Sequence, residues 1–294
     1  MANLYREECT HYSTHIKGHP TVVKSYRFRM SRFVVLVSLL TAYATALPTQ
    51  MVDQGSYRVG NCRIYGGTDA ADGAYPFMVS LRIADNKHFC GGSIITERWI
   101  LTSGHCVLGR NAADVMVVVG TNKLNSGGIF TQSCEIVIHP NFNDTEHLSN
   151  DIAMVLLRSP LRYNTLIAPA ILSYDPTEST INTTMIGWGR TRRRGHYANR
   201  LQEFSTQTLR RIFCNLYDLG TITPQQICAK YQRGKAFCEG DVGGPLLQTN
   251  TKEQVGIASY HHKNGCGVKP DVYTRVASYT GWIQETIRSR KHRC

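Results

Sequence analysis

Residue types suited to acid–base chemistry stand in short motifs rich in glycine and cysteine. Residues 101–106 read Leu-Thr-Ser-Gly-His-Cys, and residues 150–153 read Asn-Asp-Ile-Ala. A third motif, Cys-Glu-Gly-Asp-Val-Gly-Gly-Pro-Leu at residues 238–246, places a second aspartate between glycines. Imidazole and carboxylate groups can transfer protons or stabilise charge once a fold brings them together. These three motifs therefore hold the candidate residues of a reaction centre.

Five further motifs complete a series of eight. They are Arg-Ile-Tyr-Gly-Gly at residues 63–67, Ala-Tyr-Pro-Phe at 74–77, Cys-Gly-Gly-Ser-Ile at 90–94, Gly-Trp-Gly at 187–189 and Lys-Pro-Asp-Val-Tyr-Thr-Arg-Val at 269–276. In this order and spacing the series resembles the trypsin/chymotrypsin family of serine peptidases from residue 64 to about residue 287. The resemblance implies an all-β fold of two antiparallel six-stranded β-barrels, with the catalytic cleft between them and a C-terminal α-helix packed outside.

The residues around these motifs favour the same fold class. Short apolar stretches alternate with turn residues, as expected of half-buried strands in a barrel or sandwich. They lie at residues 77–83, 93–101, 115–119, 134–138, 152–157, 184–187, 255–259 and 272–276. Residues 278–288 predict a helix, because one face of it would carry Tyr279, Trp282, Ile283 and Ile287.

The resemblance assigns His105 to the general base and Asp151 to the carboxylate that orients it. The nucleophile's place, between Asp241 and Gly243, holds Val242, whose isopropyl group has no lone pair to attack with and no proton to give. Loss of the serine alone in subtilisin lowers kcat about a million-fold. The oxyanion-hole amides would be those of Gly240 and Val242, which a valine still supplies.

Two further features of the resemblance concern activation. The Arg63-Ile64 bond resembles a zymogen cleavage site, and the freed amino group of Ile64 would form a buried ion pair with Asp241. Cleavage could then still switch the conformation of the chain without producing an enzyme. The alternative is an inherited motif that nothing now cuts.

The primary specificity pocket departs from the family pattern. Ala236 occupies its base, where trypsin-like members carry aspartate, and Asp271 replaces a small residue on its wall. Tyr260 and His261 replace the tryptophan and glycine at its entrance, beside Ser259, whose position contacts the orienting aspartate. A pocket released from selection for turnover would drift in this way, and ordinary variation in specificity is the alternative.

Ten cysteines dispersed along the chain indicate disulfides and an oxidising compartment. No Cys-x-x-Cys pair or zinc-type spacing appears, and no carboxylate lies within residues 120–133, so we expect no metal and no cofactor. The resemblance pairs Cys90 with Cys106, Cys214 with Cys228, and Cys238 with Cys266. The pairing of Cys62, Cys134 and Cys294 stays open.

The N-terminal region predicts export. An apolar run of 14 residues, 33–46, follows several basic residues and ends in Ala-Thr-Ala. It is shorter than the roughly 20 residues of a membrane span, although an uncleaved signal anchor is the alternative. We predict an upstream extension at residues 1–29, a signal peptide at 30–46, a pro-segment at 47–63 and a secreted, extracellular peptidase-like domain at 64–294.

Net charge and surface motifs suggest the kind of partner. The formal charge is +12, and a basic run could bind an anionic polysaccharide through Arg190, Arg192, Arg193 and Arg194. The alternative is a merely solvated loop. Nucleic acid is not expected, because no recognition motif is present. Asn143 and Asn182 begin N-glycosylation motifs.

Together these features predict a secreted serine peptidase homologue that is proteolytically inactive and acts by binding or regulation in extracellular proteolysis. The alternative is an active serine endopeptidase with chymotrypsin-like preference, which the retained His105, Asp151 and oxyanion loop favour. A third reading is a former enzyme with no present role.

Overall fold

The structure, a computed structural model, describes residues 67–290 except 146, 177–178, 192–194, 218–221, 232–234 and 263–264. The predicted signal peptide, pro-segment and Arg63-Ile64 cleavage site lie outside these residues, as do Cys62, Cys294 and Arg192, Arg193 and Arg194. The described part contains thirteen β-strands and three α-helices, joined by four 3-10 turns.

Six antiparallel strands close the first barrel in the order β2-β3-β4-β7-β6-β5. Their bounds are β2 Met78–Ile83, β3 Lys87–Ile94, β4 Trp99–Thr102, β5 Met116–Val119, β6 Ile129–Ile138 and β7 Ala153–Leu157. Strand β7 is buried on both faces, with Ala153, Val155 and Leu157 in the barrel core and Met154 and Leu156 facing outward into a second apolar layer. This double burial explains why β7 is a continuous apolar run.

The second barrel closes in the order β8-β9-β10-β13-β12-β11, because β11 and β9 both pair with β8. Its strands are β8 Asn182–Gly187, β9 Gln202–Leu209, β10 Gln226–Ala229, β11 Pro245–Gln248, β12 Gln254–Tyr260 and β13 Asp271–Arg275. The short strand β1, Thr68–Asp69, pairs with β9 outside this ring. Two closed antiparallel six-stranded barrels are therefore confirmed.

The C-terminal helix α3 spans Thr280–Ser289 and follows a 3-10 turn, Val276–Tyr279. Tyr279 and Ile283 are buried, and Trp282 and Ile287 pack beside them, so the predicted apolar face is confirmed. This face covers Trp99, Met154 and Leu156 of the first barrel. The last helix of the chain thus packs on the barrel built from its first half.

One predicted strand is wrong. Residues 93–101 form the end of β3, a tight turn and the beginning of β4. The Ile95 amide donates to the Trp99 carbonyl at 2.8 Å, which closes a hairpin within the predicted segment. Apolar residues on both arms conceal the turn, because each arm is buried in its own right.

The structure joins Cys90 to Cys106, Cys214 to Cys228 and Cys238 to Cys266, the three pairs that the resemblance implied. Cys134 is also disulfide-bonded. The first pair fixes the segment that carries His105 against β3, and the third ties the loop of Val242 to residue 266.

Candidate active site

His105 and Asp151 come together at the top of the first barrel. The short helix α1, Gly104–Val107, follows β4 and carries the imidazole, while Asp151 lies just before β7 and is completely buried. The imidazole Nδ1 hydrogen-bonds to Asp151 Oδ2 at 2.8 Å, and the His105 amide donates to Oδ1 at 2.9 Å. Ser259 Oγ donates to Oδ2 at 2.6 Å. With Nδ1–H held by the carboxylate, the neutral ring keeps its lone pair on Nε2, as a base requires.

Val242 lies beside this pair. Its carbonyl accepts a hydrogen bond from the Gly91 amide at 2.7 Å, in the middle of β3, the strand that pairs with β4. Gly243 has a φ of +81°, and a Cβ there would overlap Thr102 Oγ1, three residues before His105. The half-buried Val242 side chain packs against the cores of both barrels. The position is therefore filled by a hydrocarbon group that is part of the packing.

The two amides assigned to an oxyanion hole are unengaged. In the described part of the chain, neither the Gly240 nor the Val242 amide donates a hydrogen bond. Gly240 has a φ of +94°, and its carbonyl accepts a hydrogen bond from His88 Nε2 at 2.8 Å. His88 Nδ1 pairs in turn with Ser80 Oγ at 2.8 Å. Burial lowers the pKa of His88 to about 4, so this histidine braces the loop as a neutral ring.

Asp241 is a completely buried carboxylate behind the same loop. It accepts hydrogen bonds from the amides of Gly189 at 2.6 Å and Cys238 at 2.9 Å. Burial nevertheless raises its pKa to about 7, because the two hydrogen bonds offset only part of the lost hydration. A Cβ on Gly187 or Gly189 would overlap the carboxylate, which explains both glycines of that motif. Among the described residues Asp241 has no ion-pair partner.

The residues expected at the specificity pocket are partly enclosed. The structure buries Ala236, Ser259 and Asp271 and leaves Tyr260 and His261 half-exposed. Asp271 Oδ2 accepts a hydrogen bond from the backbone amide next to Ala236 at 3.2 Å, while Oδ1 has no hydrogen-bond partner in the described part of the chain. Burial raises the pKa of Asp271 well above its ordinary range.

Sequence reasoning missed Phe237, the residue after Ala236. Its side chain is completely buried, and its ring centroid lies 5.2 Å from that of Tyr273 and 6.1 Å from that of His261. The ring thus lies near His261, a residue expected at the pocket entrance, and next to Ala236, the residue expected at the pocket base. An aromatic residue beside the expected pocket base was the only sequence signal. His88 was missed too, since a single histidine in a strand carries no motif.

The remaining candidate groups offer no free ligands. One trio within the described residues has metal-ligand spacing, formed by Cys238, His261 and Cys266, but the disulfide between the two cysteines removes both thiolates. Arg190 pairs with Glu239 at 2.5 Å and lies over the Tyr197 ring at 5.4 Å. This arginine is therefore engaged within the fold.

No helix among the described residues is long and apolar enough to cross a membrane.

Comparison with known proteins agrees with the architecture. A model of the family described as Trypsin matches residues 64–283. The chain is 37% identical to Chymotrypsin-2 of Vespa crabro over 226 residues, which cover 76% of this chain and 99% of that protein. It is 34% identical to Trypsin of Sus scrofa over 232 residues, 76% of this chain and 96% of that one. The chain belongs to the trypsin family.

Proposed function

We propose that this chain is a proteolytically inactive member of the trypsin family that acts by binding, as a regulator in extracellular proteolysis. The observation that carries the proposal is Val242, a packed hydrocarbon side chain in the nucleophile's place beside an intact His105–Asp151 pair. Without a hydroxyl, the Nε2 lone pair of His105 has no nucleophile to deprotonate. The two relatives carry names of active enzymes, and those names describe them alone.

Two obstacles to turnover act independently. Removal of the nucleophile costs about a million-fold in kcat in subtilisin, and the residual acceleration of roughly 10³–10⁴ over water comes from the oxyanion hole and binding. We infer a second obstacle at Phe237: its completely buried ring has its centroid 6.1 Å from that of His261, at the expected pocket entrance, and would occupy space that a substrate side chain needs. An active endopeptidase with chymotrypsin-like preference would need both to be absent.

Activation by cleavage is compatible with this role. The proposed cut after Arg63 frees the amino group of Ile64, which would neutralise the buried Asp241 and fix the neighbouring loop. Asp241 supports this step, because its pKa is raised to about 7 by burial and it has no cationic partner among the described residues. Cleavage would then change the surface of the protein without creating an enzyme.

The proposal includes secretion, with residues 30–46 as the signal peptide and residues 47–63 as the pro-segment. The disulfides support it, since such bonds persist in oxidising compartments. Polysaccharide binding at the basic run stays a prediction. Because Arg190 is paired with Glu239, Arg192, Arg193 and Arg194 would have to carry most of that binding.

A covalent serine reagent tests the inactive assignment. After cleavage at Arg63, the wild-type protein should take up no fluorophosphonate label, whereas Val242→Ser should be labelled through the restored hydroxyl. His105→Ala in the Val242→Ser background is the matched control and should lose the label. Stoichiometric labelling of the cleaved wild type, mapped to the cleft, would contradict the proposal. Capture from the native extracellular fluid then separates a binding role from no role.

A further inference from the structure

An exposed apolar cluster lies between the motifs at residues 187–189 and 238–246 and belongs to neither. Helix α2, Arg211–Cys214, and the 3-10 turn Asn215–Tyr217 follow β9. Leu216 is 78% exposed, Ile212 65% and Phe213 49%. Of the fourteen exposed large apolar side chains in the described part, four lie within residues 212–217. Single exposed apolar residues are ordinary, but a concentration of this kind marks an interaction site.

The exposed apolar side chains lie close together along one short segment. Ile212 and Phe213 are in α2, and Leu216 and Tyr217 are in the 3-10 turn that follows it directly. The Tyr217 ring meets that of Tyr231 edge to face, with centroids 6.4 Å apart, and so extends the cluster to the segment after β10.

A full core beneath the cluster prevents it from folding inward. Cys214 and Cys228 are disulfide-bonded and completely buried, together with Ile222 and Val272. Tyr260, at the entrance of the expected pocket, packs against the same core. The exposed side chains are therefore held outward on a rigid base, which adjoins the wall of the cleft.

The charged residues in the segments around the cluster are mostly basic. Residues 210–235 contain five basic residues and one acidic residue. Arg210, Lys230 and Lys235 are exposed on the segments that carry the apolar side chains. An occupant must therefore offer carboxylates as well as apolar side chains, because either type alone would leave half of the surface unmatched.

We propose that this basic apolar surface docks an acidic amphipathic segment of another protein. The surface consists of Ile212, Phe213, Leu216, Tyr217 and Tyr231 with Arg210, Lys230 and Lys235. The apolar side chains anchor the segment, and the cations select it and orient it. Docking needs neither a nucleophile nor an open pocket, so this inference stands apart from the question of proteolytic activity.

The test measures binding of the full chain to a defined probe by fluorescence anisotropy. The probe is a labelled 18-residue helical peptide with glutamates on one face and leucine and phenylalanine on the other. We expect saturable binding that weakens at least tenfold between 50 and 300 mM salt, since the attraction is partly electrostatic. Phe213→Ser with Leu216→Ser, and separately Arg210→Glu, should each weaken binding about tenfold.

The matched control is Ile171→Ser with Tyr174→Ser, two side chains of similar exposure at 63% and 64% that lie outside this surface. The affinity of this control variant for the peptide should stay within about twofold of the wild-type affinity. All substituted side chains are exposed, so unchanged thermal unfolding midpoints verify folding. Absence of saturable peptide binding, or equal loss in the control, would overturn the proposal. Tighter binding to phosphatidylserine vesicles than to the peptide, lost in the same variants, would overturn it in favour of a membrane surface.

Discussion

The buried Asp241 predicts that cleavage at Arg63 will change the stability of this protein by an amount that depends on pH. In the uncut chain the carboxylate has no cationic partner among the described residues, and burial raises its pKa from 3.8 to about 7. Cleavage would provide the Ile64 ammonium group as that partner. The perturbation is therefore a single cut, and the quantity measured is the free energy of unfolding before and after it.

The magnitude follows from the raised pKa of Asp241. Each pKa unit corresponds to about 1.4 kcal/mol, so an ionised Asp241 costs the uncut fold about 4 kcal/mol. Because the folded pKa lies above the unfolded value, this cost is absent below about pH 4. It grows as the pH rises and is complete above about pH 7. The gain from cleavage should grow over the same interval, to the equivalent of roughly 10 °C in the unfolding midpoint for a domain of this size.

Urea unfolding at several pH values between 4 and 7.5, with disulfides intact, measures this difference. Other titrating groups occur in both forms and largely cancel from the comparison. Arg63→Gln, treated with the same protease in parallel, controls for cuts elsewhere. If cleaved and uncleaved protein differ by a constant amount across this pH range, the assigned Ile64–Asp241 pair is refuted.

Three further substitutions test the packing of the site. Ser259→Ala removes a donor from the buried Asp151 and should lower the free energy of unfolding by about 1–3 kcal/mol in urea titrations. Asp271→Asn removes a carboxyl group whose pKa is raised by burial. As the pH rises above 4, the free energy of unfolding of the variant should therefore increase relative to that of the wild type, by up to about 1.4 kcal/mol per pH unit in the same assay. Phe237→Ala should lower the free energy of unfolding by about 3–5 kcal/mol, because it leaves a cavity. A decrease of less than about 1 kcal/mol would mean that the ring does not fill the pocket.

The sequence predicts best where a local motif defines the structure. His105 and Asp151 each stand in a motif that fixes both the residue and its backbone, and the structure places them 2.8 Å apart. The apolar strands of the first barrel can likewise be predicted from the sequence, because their buried residues are also their hydrophobic residues. Strand β7, with five buried apolar residues, is the clearest case.

Strand β9 shows why other elements could not be predicted. It alternates between buried and exposed positions, but three of its inward residues are polar, namely Gln202, Thr206 and Thr208. Thr206 Oγ1 donates to the Lys230 carbonyl at 2.7 Å, and Thr208 Oγ1 donates to that of Ser179 at 3.0 Å. These hydroxyl groups can be buried because their hydrogen-bond partners lie more than twenty residues away along the chain. No local sequence pattern therefore reveals that they are buried.

The same reason applies to Phe237 and His88. Whether a phenylalanine fills a pocket or lines a core depends on neighbours such as Tyr273 and His261, which lie far along the chain. The structural role of His88 depends on the carbonyl of Gly240, 152 residues away. Only the assembled barrels reveal these contacts.

The most direct test of the central claim is turnover of a mixed peptide library by the chain cleaved after Arg63. It is assayed beside Val242→Ser and beside Val242→Ser combined with Phe237→Ser. We predict no turnover by the cleaved wild type above the residual level left by binding and the oxyanion amides, and the greatest gain in the double variant, because both obstacles are then removed. Turnover by the cleaved wild type at a rate comparable to that of the serine variants would contradict the account.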